Sequence, residues 1–240
     1  MPIGVVLGFF SALLAALVTE IYCHRCLAHR AFRVKPAVAR VLDAYFRAVV
    51  WTSPEVWAAV HRLHHRYADT PLDPHSPRQL RPWQVLLGSP YLFAVARRRL
   101  PADRGPSRVV VALRVAVPVA YLVTVGPVQT LVATAVHLVG YLGIMGMVNT
   151  VGHLYGSKPH PDVPGYDVAW LAIPLLGHGY HNSHHAHPAA ARTGPLDSVW
   201  PLLRLLALLR MVELDDRRVP ARAPEAAPAC CALMPLAGRR

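Results

Sequence analysis

Nine of the 14 histidines in this chain fall into four short clusters, and the clustering predicts a metal site. The clusters are His24 and His29 in HRCLAH, His61, His64 and His65 in HRLHH, His153 closing NTVGH, and His181, His184 and His185 in HNSHH. Imidazole is the commonest metal ligand in proteins. A tetrahedral zinc takes at most four protein ligands, so nine imidazoles indicate two metal ions. A solvated, histidine-rich turn is the alternative for any cluster alone, but four clusters together favour the metal site.

The spacing within the clusters is typical of one face of an α-helix. Residues three and four positions apart share a face, because each residue turns the helix by about 100°. HRLHH and HNSHH therefore each place three imidazoles on one stripe, and Asn149 shares a stripe with His153. His24 and His29 are five positions apart, which turns them roughly 140° from each other in an α-helix. We expect this pair at a helix end, where the chain can bend both rings inward.

The composition favours a membrane protein over an ordinary soluble domain. Of the 240 residues, 54% are hydrophobic and 16% charged. The net charge of +12 is common in nucleic-acid-binding proteins, but the apolar content favours a basic face against anionic lipid or acidic partners. Cys23 and Cys26 have CxxC spacing, but no second such pair accompanies them, which argues against a zinc or redox role.

Three apolar stretches are candidate membrane spans, at about residues 3–22, 109–126 and 128–148. Gly126-Pro127 separates the last two, which predicts a tight helical hairpin. A signal peptide is the alternative for the first stretch, but this stretch lacks a basic start and a histidine cluster follows it directly.

The basic residues predict how the spans are oriented. No Lys or Arg precedes Arg25, whereas fifteen lie from Arg25 to Arg108. The positive-inside rule therefore places residues 23–108 in the cytoplasm and the N-terminus outside. Since the hairpin leaves and returns, the chain after about residue 150 is cytoplasmic too. All four histidine clusters then lie on one side, near the membrane surface.

The remaining segments predict one membrane domain over residues 1–214 and a disordered tail over 215–240, which is rich in Ala, Pro and Arg. Residues 36–60 should form an amphipathic helix and then a second helix, capped by Ser53, that carries HRLHH. Residues 69–82 should form a proline-broken loop, and residues 196–214 an apolar interfacial helix.

Nine neutral imidazoles leave the charge of two divalent metals uncompensated, which is costly unless carboxylates hydrogen-bond the outer ring nitrogens. Asp69 and Asp73 follow HRLHH and Asp197 follows HNSHH, so these three are the candidates. His137 lies within a candidate span and is expected to pack against a neighbouring helix. An all-nitrogen site for two metals suits oxidative chemistry better than hydrolysis, which usually uses bridging carboxylates.

The motifs HRCLAHRAF, WAAVHRLHH with ADTPLDPHSP, NTVGH and GHGYHNSHHAHP resemble the histidine boxes of the membrane acyl-CoA (stearoyl-CoA-type) fatty acid desaturases. The likeness covers roughly residues 20–213. It implies an all-α integral membrane fold, in which transmembrane helices carry a cytosolic helical cap with a di-iron site. The ligands that it implies are the nine clustered histidines, with Asn149 reaching one iron through water.

The reaction implied by the resemblance removes two hydrogens from adjacent methylenes of a fatty acyl chain, carried by CoA or by a lipid. O2 is the oxidant, and two electrons come from an external donor of the ferredoxin, rubredoxin or cytochrome b5 type with its reductase. A histidine-box membrane hydroxylase is one alternative, and product analysis separates it from a desaturase. A non-enzymatic membrane metal-binding protein is the other, and zinc without O2 consumption would favour it.

Two departures from the family pattern bear on activity. The family usually has two spans before the first histidine box, whereas this chain has one. Its third box usually reads GEG, whereas here Gly177-His178-Gly179 replaces the acid and removes negative charge that the irons would favour. We therefore expect His178→Glu, which restores the acid, to keep or raise activity and iron retention.

Overall fold

The computed structural model describes residues 2–101, 103 and 105–214, and these residues form seven α-helices, a π-helix and a small sheet. The α-helices are α1 (Ile3–Val18), α2 (Pro36–Val49), α3 (Pro54–Tyr67), α4 (Pro82–Arg97), α5 (Arg108–Leu154), α6 (His181–Ala186) and α7 (Trp200–Leu208). The π-helix (Thr19–Ala28) continues α1, and a 3-10 helix covers Ala169–Leu171. Strands β1 (Phe32–Val34) and β2 (Val212–Leu214) pair antiparallel. The predicted helical architecture is confirmed, and the tail 215–240 lies outside the described residues.

Two helical stretches of the described chain are long and apolar enough to cross a membrane, Ile3–Ala28 and Arg108–Leu154. The second is interrupted at Gly126, whose φ of 79° and ψ of 169° are not helical. Glycine adopts this positive φ at little cost, so the interruption falls where Gly126-Pro127 predicts a turn. The two stretches pack closely: a Cβ on Gly8 would lie 2.4 Å from the carbonyl oxygen of Ala133. Small residues allow such close approach between membrane helices.

The helices between these stretches place the second histidine cluster. Ser53 caps α3 as predicted, because its hydroxyl accepts a hydrogen bond from the N–H of Val56 over 3.1 Å. Phe46 of α2 is fully buried and packs against Tyr22 of the π-helix. The sequence patterns did not predict α4, which packs beside α5 and presents an exposed apolar stripe at Trp83, Leu87 and Tyr91.

The helix predicted over residues 196–214 is shorter than expected. It covers only α7, and Arg210 follows it with a φ of 56°, a left-handed conformation that ends a helix. The chain then forms β2, which pairs with β1, and β1 is the strand that follows the first histidine cluster. The prediction was wrong here because pairing with a distant strand overrides local apolar periodicity.

Candidate metal centre

His24 and His29 share a face because the chain around them is wound as a π-helix. The N–H of His29 donates to the carbonyl oxygen of His24 over 3.1 Å, which is the five-residue pairing of a π-helix. Residues five apart then become neighbours, and the two ring centroids lie 4.8 Å apart. The pair lies at a helix end as predicted, since the π-helix ends at Ala28. The predicted bend was wrong, because a change in winding brings the rings together.

The nine clustered histidines come together as two groups of facing imidazole nitrogens. Within each group one nitrogen from every ring lies within 4.8 Å of the others. The five-histidine group consists of His24, His29, His61, His65 and His184. The four-histidine group consists of His64, His153, His181 and His185. Each HxxHH stripe is shared between the groups: its first and last histidines face one group and the middle histidine faces the other.

The closest approaches within the groups join the Nε2 atoms of different rings. In the four-histidine group, Nε2 of His181 lies 2.8 Å from that of His153 and 3.2 Å from that of His185. In the five-histidine group, Nε2 of His184 lies 3.1 Å from those of both His24 and His65. A neutral imidazole has only one N–H, so these convergent nitrogens cannot all be satisfied by one another.

A buried nitrogen without a partner leads to the same conclusion. Nε2 of His64, whose Nδ1 donates to Asp73, is buried and accepts or donates no hydrogen bond among the residues that the structure describes. An orphaned buried polar atom is costly and calls for an unseen partner. Lone pairs that converge in two groups fit two metal ions, because imidazole nitrogen is a preferred ligand of transition metals.

Carboxylates hold the outer ring nitrogens of three of these histidines. Nδ1 of His64 donates to Asp73 over 3.0 Å, and Nδ1 of His153 donates to Asp69 over 3.2 Å. Both predicted hydrogen-bond partners are therefore confirmed. Each bond places the ring hydrogen on Nδ1 and leaves the lone pair of Nε2 for the group.

The third carboxylate is Glu20, which the sequence analysis missed. Glu20 is fully buried, and its Oε2 accepts a hydrogen bond from Nδ1 of His24 over 2.7 Å. The signal available in the sequence was an acid inside an apolar stretch, four residues before a clustered histidine. The role predicted for Asp197 was wrong, because this carboxylate bonds to Arg25, at 2.8 and 3.1 Å, and not to a histidine.

Glu20 places a carboxylate beside position 178, where the family usually has an acid and this chain has a histidine. Nε2 of His178 contacts the carboxylate of Glu20, and the guanidinium of Arg25 donates to the other oxygen over 2.5 Å. The site therefore keeps a negative charge beside His178. Gly177 makes room for this arrangement: it has a φ of 94°, and a Cβ there would lie 2.6 Å from the guanidinium of Arg25.

Burial keeps the clustered histidines in the form that binds metals. Desolvation by burial, followed by repulsion from neighbouring imidazolium charges, holds the pKa of most of them well below its ordinary value. The affected residues outside the candidate spans are His29, His61, His64, His65, His181, His184 and His185. A metal binds only the neutral ring, so the lowered pKa values prepare these side chains for ligation.

A cavity of about 430 Å³ reaches His61 of the five-histidine group and lies between the α2–α3 connection, α3, α4 and the second half of α5. Most of its wall is apolar, including Val60, Phe93, Leu142, Met145 and Val148. The polar residues of the wall include His61, His75, Asn149 and His178. Asn149 therefore lines the same cavity as His61. The predicted packing of His137 against a neighbouring helix is confirmed, since its Nδ1 lies 2.9 Å from Oγ of Ser11.

Comparison with known proteins agrees with this architecture. Residues 1–205 match the model of the fatty acid desaturase family. The chain is 28% identical to Delta-9 desaturase-like 5 protein of Arabidopsis thaliana, over 89% of this chain and 76% of that protein. It is 30% identical to Acyl-CoA C20 Delta5-desaturase of Anemone leveillei (85% and 70%). It is 25% identical to sn-1 stearoyl-lipid 9-desaturase of Synechocystis sp. (91% and 68%). The match over most of its length shows that the chain belongs to the fatty acid desaturase family.

Proposed function

We propose that this protein desaturates a fatty acyl chain at a centre of two irons, with O2 as the oxidant. The observation that carries the proposal is the pair of imidazole groups, whose Nε2 atoms converge next to an apolar cavity. Family membership supports the reaction class, and the nitrogen donors support a transition metal.

The two groups would each hold one iron. The five-histidine group and the four-histidine group supply all the direct protein ligands, and Asn149 would reach one iron through a water from the cavity wall. When bound, the irons supply the activation of O2 that removes two hydrogens from adjacent methylenes. The carboxylates of Glu20, Asp69 and Asp73 hold the outer ring nitrogens and offset part of the metals' charge.

The cavity would hold the acyl chain and keep water away from the histidines. Its wall changes from apolar residues of α4 and α5 to His61 of the five-histidine group and to His178, so a chain lying in it passes these imidazoles. Trp57 stacks on His61 with ring centroids 5.1 Å apart and planes inclined by 18°, and covers that side of the five-histidine group. The named relatives include enzymes of acyl-CoA and of lipid-linked chains, so we propose a substrate of one of these two kinds.

We also propose how the chain crosses the membrane and where its electrons come from. Residues 1–214 would form one membrane domain, with three crossings at about residues 3–22, 109–126 and 128–148. The fifteen basic residues from Arg25 to Arg108 support a cytoplasmic metal centre in a cell membrane. Electrons would come from a separate ferredoxin-, rubredoxin- or cytochrome b5-type donor with its reductase.

Expression of the full chain in a desaturase-deficient host tests the function. The lipids of the host should gain an unsaturated fatty acid, which gas chromatography with mass spectrometry identifies together with its double-bond position. Hydroxylated fatty acids without unsaturated ones would contradict the desaturase proposal and favour the histidine-box hydroxylase.

A variant of the cavity wall tests whether the acyl chain lies there. Leu142→Trp adds a large ring to the wall, and we expect it to lower product formation at least about tenfold while metal content stays unchanged. Val139→Trp is the matched control, because Val139 lies on the same helix, is 74% exposed and is absent from the wall. Equal activity of the two variants would show that the chain lies elsewhere.

A further inference from the structure

We infer that Glu20 positions His24 for metal binding, and that His178 acts through Glu20 and is not itself a metal ligand. The inference rests on the proposed two-metal centre and concerns a role of Glu20 and His178 that the family match does not assign. It follows from how the donors around one buried carboxylate are arranged.

Glu20 is held from three sides. Its Oε2 accepts from Nδ1 of His24 over 2.7 Å and from Nε2 of His178, and its Oε1 accepts from Nε of Arg25 over 2.5 Å. The side chain is fully buried. A buried carboxylate is costly unless charged or polar donors surround it, so this one is fixed in a single orientation by its three partners.

The orientation of Glu20 decides which nitrogen of His24 faces the metals. Because Nδ1 of His24 carries the hydrogen that bonds to Glu20, its Nε2 presents a lone pair to the five-histidine group, 3.1 Å from Nε2 of His184. A carboxylate bonded to the outer nitrogen also makes a metal-binding imidazole more basic. An amide at position 20 would do neither reliably, since it can present either a donor or an acceptor to Nδ1.

Arg25 is itself anchored, which makes the support of Glu20 rigid. Its guanidinium donates to both oxygens of Asp197 and to the carbonyl oxygen of Ala191, at 2.7 to 3.1 Å. Asp197 therefore acts on the metal centre indirectly, through three successive hydrogen bonds: Arg25 donates to Asp197, Arg25 also donates to Glu20, and His24 donates to Glu20. The π-helix makes this possible, because Glu20 and Arg25 are five residues apart and become neighbours only in that winding.

His178 supports the same carboxylate from the cavity side. Its Nε2 donates to Glu20 and its ring lies 4.8 Å from the ring of His24. It belongs to neither histidine group, although possible ligand atoms of Glu20, His24 and His178 also lie within 4.8 Å of one another. Because Nε2 of His178 and Nδ1 of His24 both donate to the same oxygen of Glu20, hydrogen bonds already account for the close approach of these three side chains, and His178 is a donor to Glu20 and not a ligand of the proposed irons. Its effect on metal binding should therefore depend on the presence of Glu20.

A double-mutant cycle tests both halves of the inference. The affinity of the purified full chain for Fe²⁺ is measured by competition with a chelator, and the thermal unfolding of the metal-free protein reports on the fold. The variants are Glu20→Gln, His178→Leu, their combination, and His178→Gln, which keeps an N–H donor for Glu20. Asp43→Asn is the control, because it removes a carboxylate that bonds to Arg47 at 3.0 Å and to no histidine among the described residues.

We expect Glu20→Gln to lower the Fe²⁺ affinity about 10- to 100-fold, as removal of a carboxylate behind a metal-binding histidine usually does. His178→Leu should lower it less, and should have no further effect in the Glu20→Gln background. His178→Gln and Asp43→Asn should bind as the wild type does.

Three outcomes would overturn the inference. Wild-type affinity in Glu20→Gln would remove the positioning role, and an equal effect of His178→Leu with and without Glu20 would show that His178 does not act through Glu20. If Glu20→Gln does not fold, an equal loss in His178→Gln and His178→Leu would overturn it. A wild-type protein that binds fewer than two metal ions would refute the proposed centre instead, so the two failures are distinguishable.

Discussion

Nδ1 of His64 lies 3.0 Å from the carboxylate of Asp73, and the same short loop brings Asp69 within 3.2 Å of His153. The loop is held together by its own bonds: the backbone N–H groups of Asp69 and His75 donate to Asp73, and Oγ of Ser76 donates to Asp69. Two ligand candidates that are far apart in the chain are therefore oriented by one segment, which directly follows HRLHH.

This relationship predicts graded effects of two substitutions. His64→Ala removes a proposed ligand, so iron content should fall and desaturation should be abolished. Asp73→Asn keeps every imidazole but weakens the bond that orients one of them, so the iron affinity should fall about 10- to 100-fold. Asp162→Asn, on an exposed loop, is the matched control. Full iron content and activity in His64→Ala would contradict the assignment.

The buried histidines predict a protein that loses stability in acid. Burial lowers the pKa of seven of them in the folded chain. In the unfolded chain the pKa of each is about 6.5. The unfolded state therefore binds more protons below that pH, and stability falls as the pH drops, by up to about 1.4 kcal/mol per pH unit for each group. Asp73 acts in the opposite direction, because burial raises its pKa to about 6, but it is one group against seven.

The measurement is the unfolding temperature of the metal-free protein in detergent, from pH 7.5 to pH 5. We expect a steep decrease below about pH 6.5. Saturating metal should raise the unfolding temperature at pH 7.5, and this gain should shrink in acid because protons compete for the same nitrogens. An unfolding temperature that stays constant over this range would show that the imidazoles are not buried as described.

The distribution of Lys and Arg predicts the orientation in the membrane. A reporter fused before residue 1 should lie outside the cytoplasm, and one fused after residue 214 should lie in the cytoplasm. Alkaline phosphatase, active outside, and green fluorescent protein, fluorescent inside, give complementary readings. The opposite pair of readings would refute a cytoplasmic metal centre.

The structure reverses the expectation for His178→Glu. An acid at position 178 would not restore a missing charge, because it would lie against the carboxylate of Glu20 in a buried setting. Two such groups repel one another, so the metal-free protein should unfold at a lower temperature than wild type. The double variant Glu20→Gln/His178→Glu, with one carboxylate, should recover most of the loss. An unchanged unfolding temperature in His178→Glu would show that the two side chains do not meet.

The sequence predicted the site better than it predicted the winding that builds it. Helical spacing indicated the two HxxHH stripes, and proximity along the chain indicated Asp69 and Asp73. The division of each stripe between two groups was not predictable, because it depends on which histidines of distant segments meet each ring. The π-helix was missed because the spacing rules assume 3.6 residues per turn. No residue type in this segment indicates the wider winding of a π-helix.

Long-range pairings account for the other differences. Asp197 looked like a partner of HNSHH, but its contact is Arg25, 172 positions earlier in the chain. Glu20 lies within the stretch predicted as the first span, and its contact with His178 joins positions 158 residues apart. Contacts between residues so far apart are set by tertiary packing, which local spacing does not encode.

Metal analysis of the purified chain tests the central claim most directly. Nine imidazoles in two groups exceed the coordination sphere of one ion, so iron should be present at about two equivalents per chain. The measurement is elemental analysis by mass spectrometry on protein of known concentration, purified without added metal. Two equivalents of iron are the predicted result, and one equivalent of zinc with no iron would contradict the account.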